Sequence, residues 1–286
     1  MARDVRGLAR RLIVTADDFG LSGPVNEAVV RGFREGILRY ASLMVAEPGA
    51  EEAVARARRE CPGLGLGLHL VLCSGRAVLA SSRDAGLAGA DGRFPEDPVR
   101  CGLRYYFDRS LAGALEAEAR AQFERFLAFG LRPGHVDGHL NIQVHPVVYP
   151  LVVRLSGEYG FGRVRLPGGE VRASLAFSGP GLWPRQLLEG AVFEALRTHL
   201  TRACAEPGVA VADRTFGLLR SGLMDEGYVL SALRSLGGGL SELYFHPSVE
   251  ARGSGHHGLS DLETLLSPRV RRALDELGID LVAPPR

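Results

Sequence analysis

Short apolar runs with a strand-like pattern alternate along the chain with stretches in which apolar residues recur every three or four positions. "RLIVTA" (11–16) reads as a strand. "GPVNEAVVRGFREGI" (23–37) reads as a helix with Val25, Ala28, Val29 and Phe33 at helical spacing, Ser22 as its cap and Pro24 in its first turn. "YASLMVA" (40–46) and "LGLGLHLVL" (64–72) read as strands on either side of the helical "GAEEAVARARREC" (49–61). A long amphipathic helix is expected over "SLAGALEAEARAQFERFLAFG" (110–130), stopping at Gly130. "GHVDGHLNI" (134–142) begins a further strand, "VHPVVYPLVVRLSGEYG" (144–160) a helix and "FGRVRLP" (161–167) another strand. "LSELYFHP" (240–247) is strand-like, and "GIDLVAP" (278–284) supplies a last strand. Strand then helix, repeated, predicts a parallel sheet with crossover helices. Over 286 residues this favours an irregular α/β barrel built as a single domain, 1–286, over an open sheet. Segments 73–109 and 168–190 show no periodicity and are rich in Gly, Pro and Arg. They are expected to be long loop insertions over one end of the barrel.

Composition narrows the class. Hydrophobic residues make up 46% of the chain, enough for a large core, and the formal net charge is +1, which gives no electrostatic reason to expect nucleic acid. Cys61, Cys73, Cys101 and Cys204 form no C-x-x-C pair and read as reduced thiols of a cytoplasmic protein. The basic start, "MARDVRGLARRLIV", leads into an apolar run too short for a signal peptide. No run approaches the roughly 18 residues of a membrane-spanning helix.

In a parallel barrel the chemistry lies at the C-terminal ends of the strands. Asp17 and Asp18 stand side by side at the end of the first strand, which costs repulsion and desolvation unless positive charge lies beside them. His69 interrupts the third strand, His135, Asp137 and His139 alternate in "GHVDGHLN", and His246 ends "LYFHP". Taken singly, each has a plainer reading. His69 could be a hydrogen-bonded core histidine, Asp18 a helix cap, "HVDGH" a surface face and His145 a cap or surface residue. The adjacent His256 and His257, in "GSGHHG", read as a solvated turn. Together the candidates fall at strand ends on one face. Carboxylate plus imidazoles suits a divalent cation, Mg or Zn, which would offset one of the paired aspartates.

These residues are similar to a known set. "LIVTADDFGLS", "GLGLHLVL", "HVDGHLN" and "LYFHP", in that order, resemble the YdjC-like carbohydrate deacetylase family, which includes chitooligosaccharide deacetylases. "YASLMVAEPGAEEAVARA", "GLHLVLCSGRAVL" and "VRLP" look closest to its hopanoid-biosynthesis branch. The resemblance implies an irregular TIM-like (β/α) barrel and one divalent metal ion held by Asp18, His69 and His139. It implies Asp17 as general base, His246 as general acid, and removal of acetyl from an N-acetylglucosamine-type sugar, in that branch an N-acetylglucosaminyl hopanoid lipid. Many relatives carry a histidine-rich run after the last metal histidine; here "LNIQVHP" keeps only His145. Arg165 and Trp183 are expected to bind substrate. Segment 168–190, with Trp183 among Leu175, Phe177, Leu182, Leu187 and Leu188, is expected to border the site mouth and meet the lipid part. The partner is a small-molecule or lipid-linked amino sugar and not nucleic acid; peripheral membrane contact and a homodimer stay open. A metal-dependent phosphoesterase is the competing chemistry, because Arg163 and Arg165 offer an anion clamp. Retention of Asp17 and His246 speaks against a sugar-binding protein without catalysis.

Overall fold

The first strand organises the molecule. β1 (Arg10–Phe19) is buried from Leu12 onward, and its side chains alternate between two environments. Leu12, Val14 and Ala16 belong to the apolar core, while Thr15 and Asp17 reach charged partners across the sheet. The computed structural model describes residues 8–178, 183–203, 206–251 and 258–284. Leu182, Cys204, His256 and His257 lie outside them.

After β1 come α1 (Gly23–Glu35), β2 (Tyr40–Leu43), α2 (Ala50–Glu60) and β3 (Gly65–Leu70). Two helices, α3 (Ser81–Asp84) and α4 (Pro98–Phe107), precede the long α5 (Ala112–Ala128) and β4 (His135–Gly138). A 3-10 turn, His139–Val144, leads to α6 (Val148–Tyr159), β5 (Arg163–Val164), α7 (Val171–Phe177) and α8 (Trp183–Ala203). The chain finishes with β6 (Arg214–Phe216), α9 (Glu226–Ser235), β7 (Gly239–Phe245), α10 (Gly258–Leu266), α11 (Pro268–Glu276) and β8 (Ile279–Leu281). The strand order is β5-β4-β3-β2-β1-β7-β6, every pairing is parallel, and β8 joins β1 at Arg10–Leu12. Isolated bridges, Arg163 to Ala210 and Gly168 to Thr215, link the segment around β5 with the one around β6. The result is a curled parallel sheet ringed by helices, the expected TIM-like α/β barrel in irregular form.

Helix burial follows from spacing. α5 turns Leu115, Ala119, Phe123 and Phe126 inward, and Phe123 meets Phe161 edge to face at 5.1 Å between ring centres. Ser22 is the N-cap residue of α1 but makes no side-chain cap bond, whereas Pro24 does lie in the first turn. Gly130 takes the positive φ of 66° expected after α5.

Two expectations need correction. Segment 168–190 is not mainly loop, since it holds α7 and the start of α8, and segment 73–109 sets α3 and α4 into otherwise irregular chain. α4 leaves Val99, Leu103, Tyr106 and Phe107 exposed, and α8 leaves Leu187, Leu188 and Val192 exposed, so neither sequence shows a clean buried stripe. The strand expected over 161–167 shrinks to Arg163–Val164, because the chain then turns through Gly168 and Gly169, both at positive φ. Among the described residues no helix is long and apolar enough to cross a membrane.

Candidate metal centre and catalytic residues

The paired aspartates sit in an irregularity of β1. Ala16 pairs with Ala41 and Phe19 with Leu43, so β1 spends one residue more than β2 over that interval. Asp18 absorbs the excess in the left-handed region, φ 62°, which a non-glycine residue enters only at a cost of about 1–3 kcal/mol. The bulge breaks the two-residue alternation and sends the two carboxylates to different partners.

Asp18 meets the histidines. Its Oδ1 lies 2.9 Å from His139 Nδ1 and 3.4 Å from His69 Nε2. One ligand atom from each of the three residues falls within 4.8 Å of the other two. Bonds of about 2.0–2.2 Å to a central ion would put such atoms roughly 3–3.5 Å apart, so the set fits a divalent cation. His139 reaches this place because the 3-10 turn after β4 carries two left-handed residues, Leu140 (φ 52°) and Asn141 (φ 55°). His69, on β3, is fixed from behind: Asp137 Oδ1, in register on β4, holds its Nδ1 at 2.7 Å and leaves Nε2 toward Asp18. Burial pushes Asp18 up, and the charge and hydrogen bonds of its histidine neighbours, His139 foremost, together outweigh it and hold the carboxyl well below its usual range. Burial pushes His69 down, and the carboxylates around it, Asp137 first, overcome this and lift it to about 10. The cluster therefore attracts positive charge.

Asp17 points into the barrel. Arg165 Nη1 donates to Asp17 Oδ2 at 2.6 Å and Nη2 to Oδ1 at 2.9 Å, a two-pronged pair. The same guanidinium lies 2.8 Å from Asp137 Oδ2 and donates to Glu242 Oε1 on β7 from both Nε and Nη2. Tyr244 covers it, with its ring centre 4.4 Å from the guanidinium carbon. Ser42 on β2 donates to Asp137 Oδ2 at 2.6 Å and lies 3.0 Å from His135 Nε2. Gly67 is required beside it: a Cβ there would come within 2.5 Å of the His135 ring. Three carboxylates (Asp17, Asp137 and Glu242) thus converge on one buried arginine, and with the buried Asp18 beside them they leave a charge imbalance that a divalent cation would relieve.

His246 follows β7 directly. Its backbone N–H donates to buried Asp261, and its Nε2 lies 3.9 Å from Asp17 Oδ2, so Asp17 and His246 face each other beside the histidine–aspartate triad. The five residues expected to carry metal binding and acid–base chemistry are brought together from β1, β3, the turn after β4 and the end of β7. Of the two expected substrate contacts, Arg165 is turned inward and Trp183 lies on the surface. Arg165 is 1% exposed with its donors on carboxylates of its own chain, which puts it behind Asp17 and not in the path of an incoming ligand. Trp183 is 41% exposed at the start of α8, where its indole N–H donates to the carbonyls of Leu175 and Ser178. His145 is half-buried between Tyr105 and Tyr106 and accepts from the Val147 N–H through Nδ1, a local turn role. The sequence reading passed over Ser42, Glu242 and Tyr244. Only Glu242 left a signal, as the acidic residue inside an otherwise apolar strand.

A carbohydrate deacetylase of Brevibacillus brevis is 42% identical over 150 residues, 52% of this chain and 56% of that protein. One of Geobacillus stearothermophilus is 38% identical over 168 residues, 58% of this chain and 62% of that protein. The chain thus aligns with little more than half the length of these curated relatives. A crystal structure from Enterococcus faecalis V583, of a protein named for cellobiose-phosphate cleavage, superposes with a TM-score of 0.73 at 21% identity. It covers 96% of this chain and 97% of that one, a likeness of fold. The family model of YdjC-like proteins matches residues 11–276, from the first strand to the last helix and across every residue of the cluster, and the chain belongs to that family.

Proposed function

We propose that the protein is a metal-dependent carbohydrate N-deacetylase. The observation that carries this reading is the convergence of Asp18, His69 and His139 beside the facing pair Asp17 and His246. Amide hydrolysis needs a proton taken from water and a proton given to the departing amine, and the pair offers a carboxylate and an imidazole for these two tasks. Arg165 holds Asp17 through both oxygens and aims it, so that the carboxylate can accept the water's proton. His246, at the opposite side of the gap, protonates the leaving nitrogen. A divalent ion held by Asp18, His69 and His139 would polarise the acetyl carbonyl and acidify water. The placement of Arg165 weighs against the phosphoesterase alternative, because a guanidinium engaged by three carboxylates is not free to clamp a phosphate.

The substrate is proposed to be an N-acetylglucosamine-type sugar; the relatives include proteins named carbohydrate deacetylase and, from Serratia marcescens, chitooligosaccharide deacetylase. For a hopanoid-linked form, the support is the apolar surface near the site. α4 and α8 both pack on the turn that carries His139, and both expose large apolar side chains, Leu103 and Phe107 on one and Leu187 and Leu188 on the other. The test is acetate release from a soluble N-acetylglucosamine oligomer and from an N-acetylglucosaminyl hopanoid, with and without chelator. Chelator-sensitive release supports the deacetylase reading. Release from neither, or release indifferent to chelator, overturns it, and a preference for the oligomer overturns the lipid-linked form.

A further inference from the structure

Inside the barrel, below the reacting groups, the structure holds charge that the chemistry above does not use. Glu242 is fully buried on β7. Its Oε1 accepts from Arg165 Nε at 3.2 Å, from Arg165 Nη2 at 3.0 Å and from the Thr15 hydroxyl at 2.8 Å. Arg165 can give both Nη atoms to Asp17 only when the plane of its guanidinium is fixed, and Glu242 grips the edge that sets this plane. The second oxygen, Glu242 Oε2, is buried and has no hydrogen-bond partner among the described residues. The same holds for His135 Nδ1 and for Arg163 Nε and Nη2, and both Arg163 and His135 lie near Glu242. A buried set that mixes donors with an acceptor is the kind that ordered water satisfies.

We propose that Glu242 is a positioning residue: it holds Arg165 so that the guanidinium aims Asp17 at the reacting water, and its second oxygen anchors ordered water shared with His135 and Arg163. This rests on the reading of Asp17 as the base. Glu242 itself touches neither metal nor substrate and acts through Arg165.

The test uses the metal-loaded protein. Glu242→Gln keeps the shape and removes the charge; kcat is expected to fall about 10–100-fold, with KM and metal stoichiometry within about twofold of the native values. Thr15→Val removes only one hydrogen bond to Glu242 and should give a smaller loss of kcat in the same direction, which decides the matter if the first variant does not fold. A high-resolution crystal structure of the native protein should show water within hydrogen-bond distance of Glu242 Oε2, and that of Glu242→Gln should show Arg165 turned away from Asp17. Full kcat in both variants, a loss confined to KM, a dry Oε2, or an Arg165 that stays seated on Asp17 without the charge overturns the proposal. If the native protein releases no acetate from any sugar tested, the deacetylase reading fails, and the two crystal structures still decide the role of Glu242.

Discussion

Replacing Arg165 with Met is the sharpest test of how the site is held together. Arg165 is 1% exposed and its guanidinium meets Asp17, Asp137 and Glu242 at 2.6, 2.8 and 3.0 Å. Met fills comparable space without charge, so three buried carboxylates lose their shared counter-ion. Breaking a buried ion pair from one side costs about 3–5 kcal/mol. With about 2.1 cal/mol/K of unfolding entropy per residue, a chain of 286 residues loses about 1.7 °C in Tm per kcal/mol. The expected fall is thus about 5–8 °C near neutral pH.

The pH dependence gives a second handle. Burial pushes Asp137 and Glu242 up, and their neighbours, the Arg165 charge foremost, together outweigh it, holding Asp137 well below and Glu242 below the ordinary carboxylate range. In the native protein these groups contribute stability above their unfolded pKa, and that contribution is lost as pH falls through the lower folded value. In the variant the Arg165 charge no longer counters burial, and only His69 and His135 beside Asp137 and Arg163 and His135 beside Glu242 still oppose it, so the folded pKa values rise from their native level and the stability contributed by ionising these carboxylates shrinks. The gap between native and variant Tm should therefore be wider at about pH 8 than at about pH 5. Thermal melts in chelator, followed by circular dichroism, measure it without a contribution from metal. A fall under about 2 °C at the higher pH, or a gap that does not narrow with acid, refutes the argument.

Other expectations are simpler to check. His69→Ala and His139→Ala should each abolish stoichiometric binding of zinc in a titration calorimeter while leaving the far-ultraviolet spectrum unchanged. Asp17→Asn should keep fold and metal but lose about 10²–10⁴-fold in turnover, and His246→Ala should lose a similar factor, most on substrates whose leaving amine is most basic. Burial pushes the Glu170 carboxyl up to about 7 from an ordinary 4.5. The folded protein therefore keeps a proton that the unfolded chain releases, and folding stability falls by about 3 kcal/mol as pH rises from the ordinary value to the raised one. Denaturant titrations of Glu170→Gln should lack that slope.

The parts legible in the sequence share one trait: local periodicity and global role agree. β1, β3 and β7 are apolar runs, and the polar residues that break them, Asp17, Asp18, His69 and His246, stand at or near strand ends where a parallel barrel does its chemistry. β6 was missed because three residues, Arg214–Phe216, carry too little pattern. α8 was missed in part because its apolar residues are spread round the helix and many stay exposed. Arg165, within the strand expected over 161–167, offers an anion or substrate contact by residue type alone. Its burial depends on Asp17, Asp137 and Glu242, each on a different strand, and no local pattern shows that three carboxylates will meet.

The adjacent aspartates then have a physical account. In a regular strand, Asp17 and Asp18 would project to opposite faces, and one would enter the apolar layer between sheet and helices. The extra residue in β1 and the left-handed turn at Asp18 give the second carboxylate the histidines instead. Asp17 keeps the inward direction of Thr15 and takes Arg165. The cation expected from sequence therefore answers half of the charge problem, and an arginine 148 positions away answers the other half. The two halves serve different ends. A guanidinium cannot be deprotonated in a protein, so Asp17 has a fixed cationic partner whether or not a metal is present. Strain at Asp18 is the cost of separating the two functions within one strand, and the bonds that Asp18 and Asp17 each make are what hold that strained backbone in place.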